Sequence, residues 1–130
     1  GVRDAWEAGG RRWPRVRVAV CARNSASEAD ALATAFLTGP DAPDAVMAMS
    51  DELALGLLRA AARAGLAVPG DLAVTGWDGT DAAAAAGLTT VAQNLRAQGA
   101  RCARLALGEE AAADIDPVEW RLVVRESTRR

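Results

Sequence analysis

The chain has 130 residues, about the size of one domain, and a formal charge of −2, so it offers no basic face with which to hold nucleic-acid phosphates. It has no histidine and only two cysteines, which removes the usual general base and the commonest metal ligand and leaves too few thiols for a tetrahedral zinc site. No apolar run approaches the length of a membrane span, and residues 1–12 mix acids, arginines and glycines rather than forming a signal peptide.

The chain starts without a methionine and already in a helical pattern, so it reads as a piece of a longer protein. Val2, Ala5, Trp6 and Ala8 fit one helical face that Gly9-Gly10 would close. After the break at Pro14, Val16, Val18 and Val20 alternate with Arg15, Arg17 and Ala19, which predicts a strand extended by Cys21 and Ala22. Cys21 then sits in a strand and Cys102 in an alanine-rich helix, and both are expected to be buried structural thiols.

Arg23-Asn24-Ser25 reads as a polar loop. Ser25 with Glu28, or Ser27 with Asp30, matches a capping box ahead of a helix running to about Leu37. Gly39-Pro40 stops that helix, and a strand is expected over Ala45 to Met49. Ser50 then caps a helix with Asp51 and Glu52 in its first turn, where carboxylates complement the helix dipole. Leu55, Leu58 and Ala62 form one apolar stripe of this helix, and Ala54, Leu57 and Ala61 form a second. A stripe that wide is expected to face the sheet on one side and a partner on the other.

Gly65 ends that helix and Pro69-Gly70-Asp71 turns the chain into a strand at Leu72 to Thr75, followed by a loop at Gly76-Trp77-Asp78-Gly79. A short helix through Ala82 to Ala86, a strand over Leu88 to Ala92, a helix from Leu95 to Leu107, an acidic loop over Glu109 to Asp116 and an edge strand over Val118 to Arg125 complete the pattern. Alternation of this kind predicts an α/β fold, with a mainly parallel sheet and helices on both faces.

In such a sheet the crevice outside the carboxyl ends of the strands is where small molecules bind. Asp78 lies at one such end, where a carboxylate can accept two hydrogen bonds from a polyol or instead cap the helix near Thr80. Gln93 follows the next strand, and its amide can both donate to and accept from a hydroxylated ligand or serve as a local cap. Arg23 lies in the loop after the first strand, as a solvated surface residue or a clamp for an anionic group. Trp77 reads first as packing, with an edge able to line the cleft. Asp51 reads as a dipole partner rather than a contact. No nucleophile has a base beside it, and neither a dinucleotide-binding nor a P-loop motif is present, so no catalytic residue, metal site or cofactor is expected.

Several spaced motifs resemble the effector-binding domain of LacI/GalR-type transcriptional regulators. They are Ser50-Asp51-Glu52-Leu53-Ala54-Leu55-Gly56, Val68-Pro69-Gly70-Asp71 leading to Val74-Thr75-Gly76-Trp77-Asp78, Leu88-Thr89-Thr90-Val91-Ala92-Gln93 and Arg125-Glu126-Ser127-Thr128. The resemblance implies a two-lobed domain, similar to periplasmic binding proteins, that closes on a small molecule such as a sugar. Residues 1–130 would be its C-terminal portion, without the helix-turn-helix and the N-terminal lobe.

It further implies ligand contacts at Asp78, at Ser50 in the place of a frequent asparagine, at Arg23 where some relatives carry an aromatic, and at Gln93, with Trp77 near the cleft. It implies a cytoplasmic homodimer through Leu55, Arg59 and Ala82 to Ala86, and operator DNA reached only through the missing N-terminal domain. A sugar-transport solute-binding protein is the alternative within the same architecture. Gly79 stands where relatives often carry a second aspartate.

Overall fold

The computed structural model describes residues 1–13, 16–109 and 120–129. Its elements are α1 (Val2–Ala8), α2 (Ala26–Ala33), β1 (Ala45–Met47), α3 (Asp51–Arg63), β2 (Ala73–Asp78), α4 (Asp81–Ala85), β3 (Thr89–Ala92), α5 (Leu95–Ala106), β4 (Arg121–Val123) and a closing 3-10 turn, Glu126–Thr128. The four strands form one sheet in the order β1-β2-β3-β4. The first three are parallel, and β4 runs antiparallel at the edge beside β3. This is the expected α/β class with a mainly parallel sheet.

Alternation along β2 decides which residues meet the helices. Val74 and Gly76 are buried, whereas Thr75 and Trp77 point to the other face and are only half-buried. The buried face packs under α3, whose Ala54, Leu57, Ala60 and Ala61 join Leu72, Val74, Ala83 and Leu88 in the core. Half of these side chains are alanines, so the elements approach closely and the core is built from many small contacts. On the second face Trp77 meets Trp120 edge-to-face, with ring centroids 5.4 Å apart, while Met47 and Leu122 remain mostly exposed. Helices α1 and α5 bury none of their residues.

The tightest helix contact is α2 on α3, and Gly56 makes it possible. A Cβ at this position would stand 2.3 Å from the Ala26 carbonyl oxygen and 2.8 Å from Ala29 Cβ. Backbone cannot yield as a flexible side chain can, so Gly56→Ala must push α2 outward. The expected loss is about 2 kcal/mol of unfolding free energy, measurable as a lower urea midpoint.

Three sequence expectations are corrected here. Residues 16–22 form no strand; Val18 and Val20 are 77% and 82% exposed, and no backbone ladder joins them to the sheet among the described residues. Alternating valines supply the side-chain pattern of a strand, but a strand also needs a paired neighbour, and β propensity yields to context when that is lacking. Helix α2 ends at Ala33 rather than Leu37, because the amides of Ala35 and Phe36 bond only three residues back and tighten the chain into a turn. Strand β2 continues through Gly76-Trp77 to Asp78, where a loop was expected, since β3 pairs with it along that whole stretch.

The thiols also depart from expectation: Cys102 is exposed on α5 and Cys21 is half-buried, both free. Part of the expected edge strand, at residues 118–119, and residues 110–116 of the acidic loop lie outside the described residues.

Candidate functional site

The carboxyl ends of β2 and β3 open onto a cleft of about 640 Å³ lined by Asp78, Gly79, Thr80 and Asp81 on one side and Ala92, Asn94, Leu95, Arg96 and Arg121 on the other. Asp78 ends β2 and is paired with Ala92, so register alone puts the aspartate at the cleft floor. Its backbone has φ 122°, a conformation that costs a side-chain-bearing residue roughly 1–3 kcal/mol and persists only where neighbours enforce it. Gln93 supplies that enforcement: its amide N–H donates to the Asp78 carbonyl at 3.2 Å, and its Nε2 donates to Asp78 Oδ1 at 2.9 Å. Gln98 Nε2 in turn donates to the Gln93 carbonyl. Asp78 and Gln93, the two candidates at successive strand ends, are therefore one hydrogen-bonded unit.

Gly79 explains its own departure from the usual aspartate. It has φ 79°, and a Cβ there would lie 2.6 Å from both Cα and Cβ of Ala92. The approach of loop to strand leaves no room for a side chain.

The Asp78 carboxyl is pushed above its ordinary value. Desolvation is the largest cause and the negative charge of Asp51 the second; the Asp51 backbone N–H and the Gln93 amide act in the opposite direction. A carboxyl raised on folding contributes stability that is complete below its unfolded value, near pH 4, and is lost as pH rises through the raised folded value. Above that value the ionised oxygen stands ready to accept ligand hydroxyls. Acidification must therefore weaken a ligand held by this carboxylate, starting at a higher pH than for an ordinary aspartate and steepening toward about tenfold per unit. Titration calorimetry at a series of pH values measures that slope.

Ser50 lies at the amino end of α3, and is 5% exposed. Its Oγ accepts from the Leu53 N–H at 3.2 Å and donates to Asn24 Oδ1 at 2.5 Å, so its hydroxyl is engaged on both sides. Arg23 is exposed, with Nε 2.6 Å from Glu28 Oε1 and its backbone N–H 2.8 Å from Glu28 Oε2. These contacts, the backbone one first, hold the Glu28 carboxyl below the ordinary range. Ser25 caps α2 as expected, but Glu28 closes onto Arg23 rather than back onto the cap. Trp77 is half-buried on the opposite face of the sheet from Val74 and Gly76, against Trp120.

Sequence reasoning missed four cleft features. Arg96 and Arg121 line the cleft, and neither has an ion-pair partner among the described residues. Asn94 adopts a left-handed conformation, φ 54°, that asparagine tolerates better than most residues, and so starts α5 at the cleft edge. Asp51 is fully buried and accepts from the Thr80 N–H at 2.7 Å, from Thr80 Oγ1 at 3.0 Å and from Thr90 Oγ1 at 2.6 Å. Thr80 was legible as a helix cap and its Oγ1 does accept from the Ala83 N–H, but its bond to Asp51 was not.

A second groove, of about 560 Å³, runs along the outer side of α3 and is lined by Leu55, Leu58, Arg59, Ala62, Leu66, Val68 and Ala86, with Glu126 and Ser127 at one end. The stripe Ala54, Leu57, Ala61 faces the core, and the stripe Leu55, Leu58, Ala62 faces this groove. Ala83 alone of the expected alanine segment is buried; Ala82 and Ala84 to Ala86 are exposed. No helix among the described residues is long and apolar enough to cross a membrane.

Residues 1–128 match the model of the periplasmic binding protein-like domain. The uncharacterized HTH-type transcriptional regulator YvdE of Bacillus subtilis (strain 168) is 40% identical over 111 residues, covering 81% of this chain and 35% of that protein. The structure of a LacI-family protein from Sanguibacter keddieii DSM 10542 superposes with a TM-score of 0.78 at 37% identity, over 97% of this chain and 49% of that one. A LacI-family regulator from Arthrobacter sp. FB24, solved in complex with lactose, superposes with a TM-score of 0.78 at 30% identity, over 98% of this chain and 49% of that one. The chain thus spans about a third of that curated relative and half of these solved relatives. The spacing of the motifs, the parallel sheet with its cleft at the strand ends and these likenesses agree: the chain belongs to the periplasmic binding protein-like domain family and is similar to LacI-type transcriptional regulators.

Proposed function

We propose that this chain is the C-terminal portion of a sugar-sensing effector domain, in which Asp78 and Gln93 hold ligand hydroxyls and the intact protein acts as a cytoplasmic transcriptional repressor rather than an enzyme. The observation that carries the reading is the Asp78–Gln93 unit, in which the carboxyl that lines the cleft and an amide stand side by side at adjacent strand ends. A carboxylate accepts from two hydroxyls while a carboxamide both donates and accepts, which is the pairing that a vicinal diol requires. The lactose complex of the Arthrobacter regulator supports a sugar as the ligand class.

Ser50, with its hydroxyl bonded to Asn24 Oδ1 at 2.5 Å, is a further candidate contact that lies outside the cleft lining. Arg23, tethered to Glu28, is not among the residues that line the cleft. Trp77 packs against Trp120 and is likewise not among the residues that line the cleft. Thermal-shift screening of the intact protein against neutral sugars, sugar acids and sugar phosphates tests the reading, since a ligand at 100 times its dissociation constant adds about 2.7 kcal/mol of stability.

The intact protein dimerises through the α3 groove, with Leu55 and Arg59 on one helix and the exposed alanines of residues 82–86 on the next. Small side chains there allow close approach of a second backbone, and the apolar lining favours burial. Leu55→Arg is expected to convert the dimer to monomer in sedimentation equilibrium; a full-strength dimer would reject the assignment. Operator DNA would be read by a helix-turn-helix preceding this segment. The alternative, a solute-binding protein of sugar transport, shares the fold, and the likeness to HTH-type regulators favours the repressor.

A further inference from the structure

Asp51 has no place among the ligand contacts, yet its carboxylate is fully withdrawn from solvent and takes three hydrogen bonds from two other elements. Both bonds to Oδ2 come from Thr80, the residue that caps α4, and the bond to Oδ1 comes from Thr90 in the middle of β3. Thr80 is the downstream end of the segment in which Asp78 and Gly79 both hold positive φ, 122° and 79°. Glycine takes a positive φ freely, but an aspartate at φ 122° does not stay there unaided. Gln93 fastens the upstream end at Asp78, and Asp51 fastens the downstream end at Thr80.

We infer that Asp51 is the positioning residue of the cleft: as a buried carboxylate it clamps Thr80, and thereby holds Asp78 in the strained conformation that presents its oxygens to the ligand. The inference deepens the binding reading and rests on it only for the ligand; the clamp itself is a property of the unliganded protein. All three bonds are donated to Asp51, so an amide in its place would turn an N–H₂ group toward donors.

The charged groups around Asp78 are Asp51 from α3, Asp81 from α4, Arg96 from α5 and Arg121 from β4. Asp81, Arg96 and Arg121 are exposed and screened by solvent, whereas Asp51 is buried. Its charge therefore acts on the Asp78 carboxyl with the least screening.

Three variants of the intact protein test this: Asp51→Asn, Thr80→Val and Thr80→Ser. Without any ligand, carbon-13 NMR follows the Asp78 carboxyl through its titration and amide exchange follows residues 79 and 80. With lactose as the probe, calorimetry follows binding. Asp51→Asn is expected to move the Asp78 midpoint downward, speed exchange at residues 79 and 80, and weaken lactose about tenfold or more. Thr80→Val keeps the Asp51 charge and is expected to speed exchange at residue 79 severalfold, with Thr80→Ser restoring the native rate.

A folded Asp51→Asn protein with an unmoved Asp78 midpoint overturns the inference. If that variant does not fold, the threonine pair decides, and equal exchange in Thr80→Val, Thr80→Ser and the native protein overturns it. If lactose fails to bind even the native protein, the choice of sugar fails, while the titration and exchange results still decide the role of Asp51.

Discussion

Replacing Asp51 by alanine is expected to cost about 4 kcal/mol of unfolding free energy. The substitution strips the acceptor from one backbone N–H and two threonine hydroxyls, at 2.7, 3.0 and 2.6 Å. A buried donor left without a partner costs roughly 1–3 kcal/mol. The hydroxyls can rotate toward other acceptors, so their share is at the low end; the Thr80 N–H cannot. Relief from desolvating the carboxylate, and from its repulsion of Asp78, offsets part of the total. Domains of this size are stable by roughly 5–15 kcal/mol, so the loss is a large fraction of the total. Urea unfolding gives the value directly, and a change below about 1 kcal/mol would mean the three bonds contribute little.

Asp78→Asn is expected to weaken sugar binding about 100-fold while leaving the fold intact, because the hydroxyls then meet a neutral acceptor in place of two charge-assisted ones. The companion variant Asp78→Gly separates function from stability. Glycine adopts φ 122° without strain, so this change is expected to raise stability by roughly 1 kcal/mol and still abolish binding. A site residue whose removal stabilises the protein is the expected signature of strain held for function. If Asp78→Gly destabilises, the backbone at that position is not strained in the way its dihedral implies.

Local patterns carried most of the architecture. Ser25, Ser50 and Thr80 all cap helices through side-chain oxygens, and the alternation of strands and helices predicted a mainly parallel sheet. What local patterns could not carry was pairing at a distance. Gly76-Trp77-Asp78-Gly79 reads as a turn because glycine, aspartate and glycine cluster there, yet three of the four residues pair with β3. Val16 to Val20 has the better strand pattern and forms no ladder among the described residues, because alternation does not provide a neighbour.

The candidate site divides along the same line. Asp78 and Gln93 were legible because each stands at the end of an apolar run, where topology places a cleft. Asp51 was not, because an acid in the first turn of a helix already has a local explanation in the dipole. Its actual partners lie 29 and 39 residues further along the chain. Arg96 and Arg121 were missed for a similar reason: only the β3–β4 register and the start of α5 bring them to the same opening as Asp78.

The central claim is that the Asp78–Gln93 unit is a sugar-binding half-site. Its most direct test is calorimetric titration of the intact protein with a panel of sugars that includes lactose, run in parallel on Asp78→Asn. Saturable binding of at least one sugar to the native protein, weakened about 100-fold by the single substitution, is the result expected. Binding of equal strength to both proteins, or no binding of any sugar to the native protein, would contradict it.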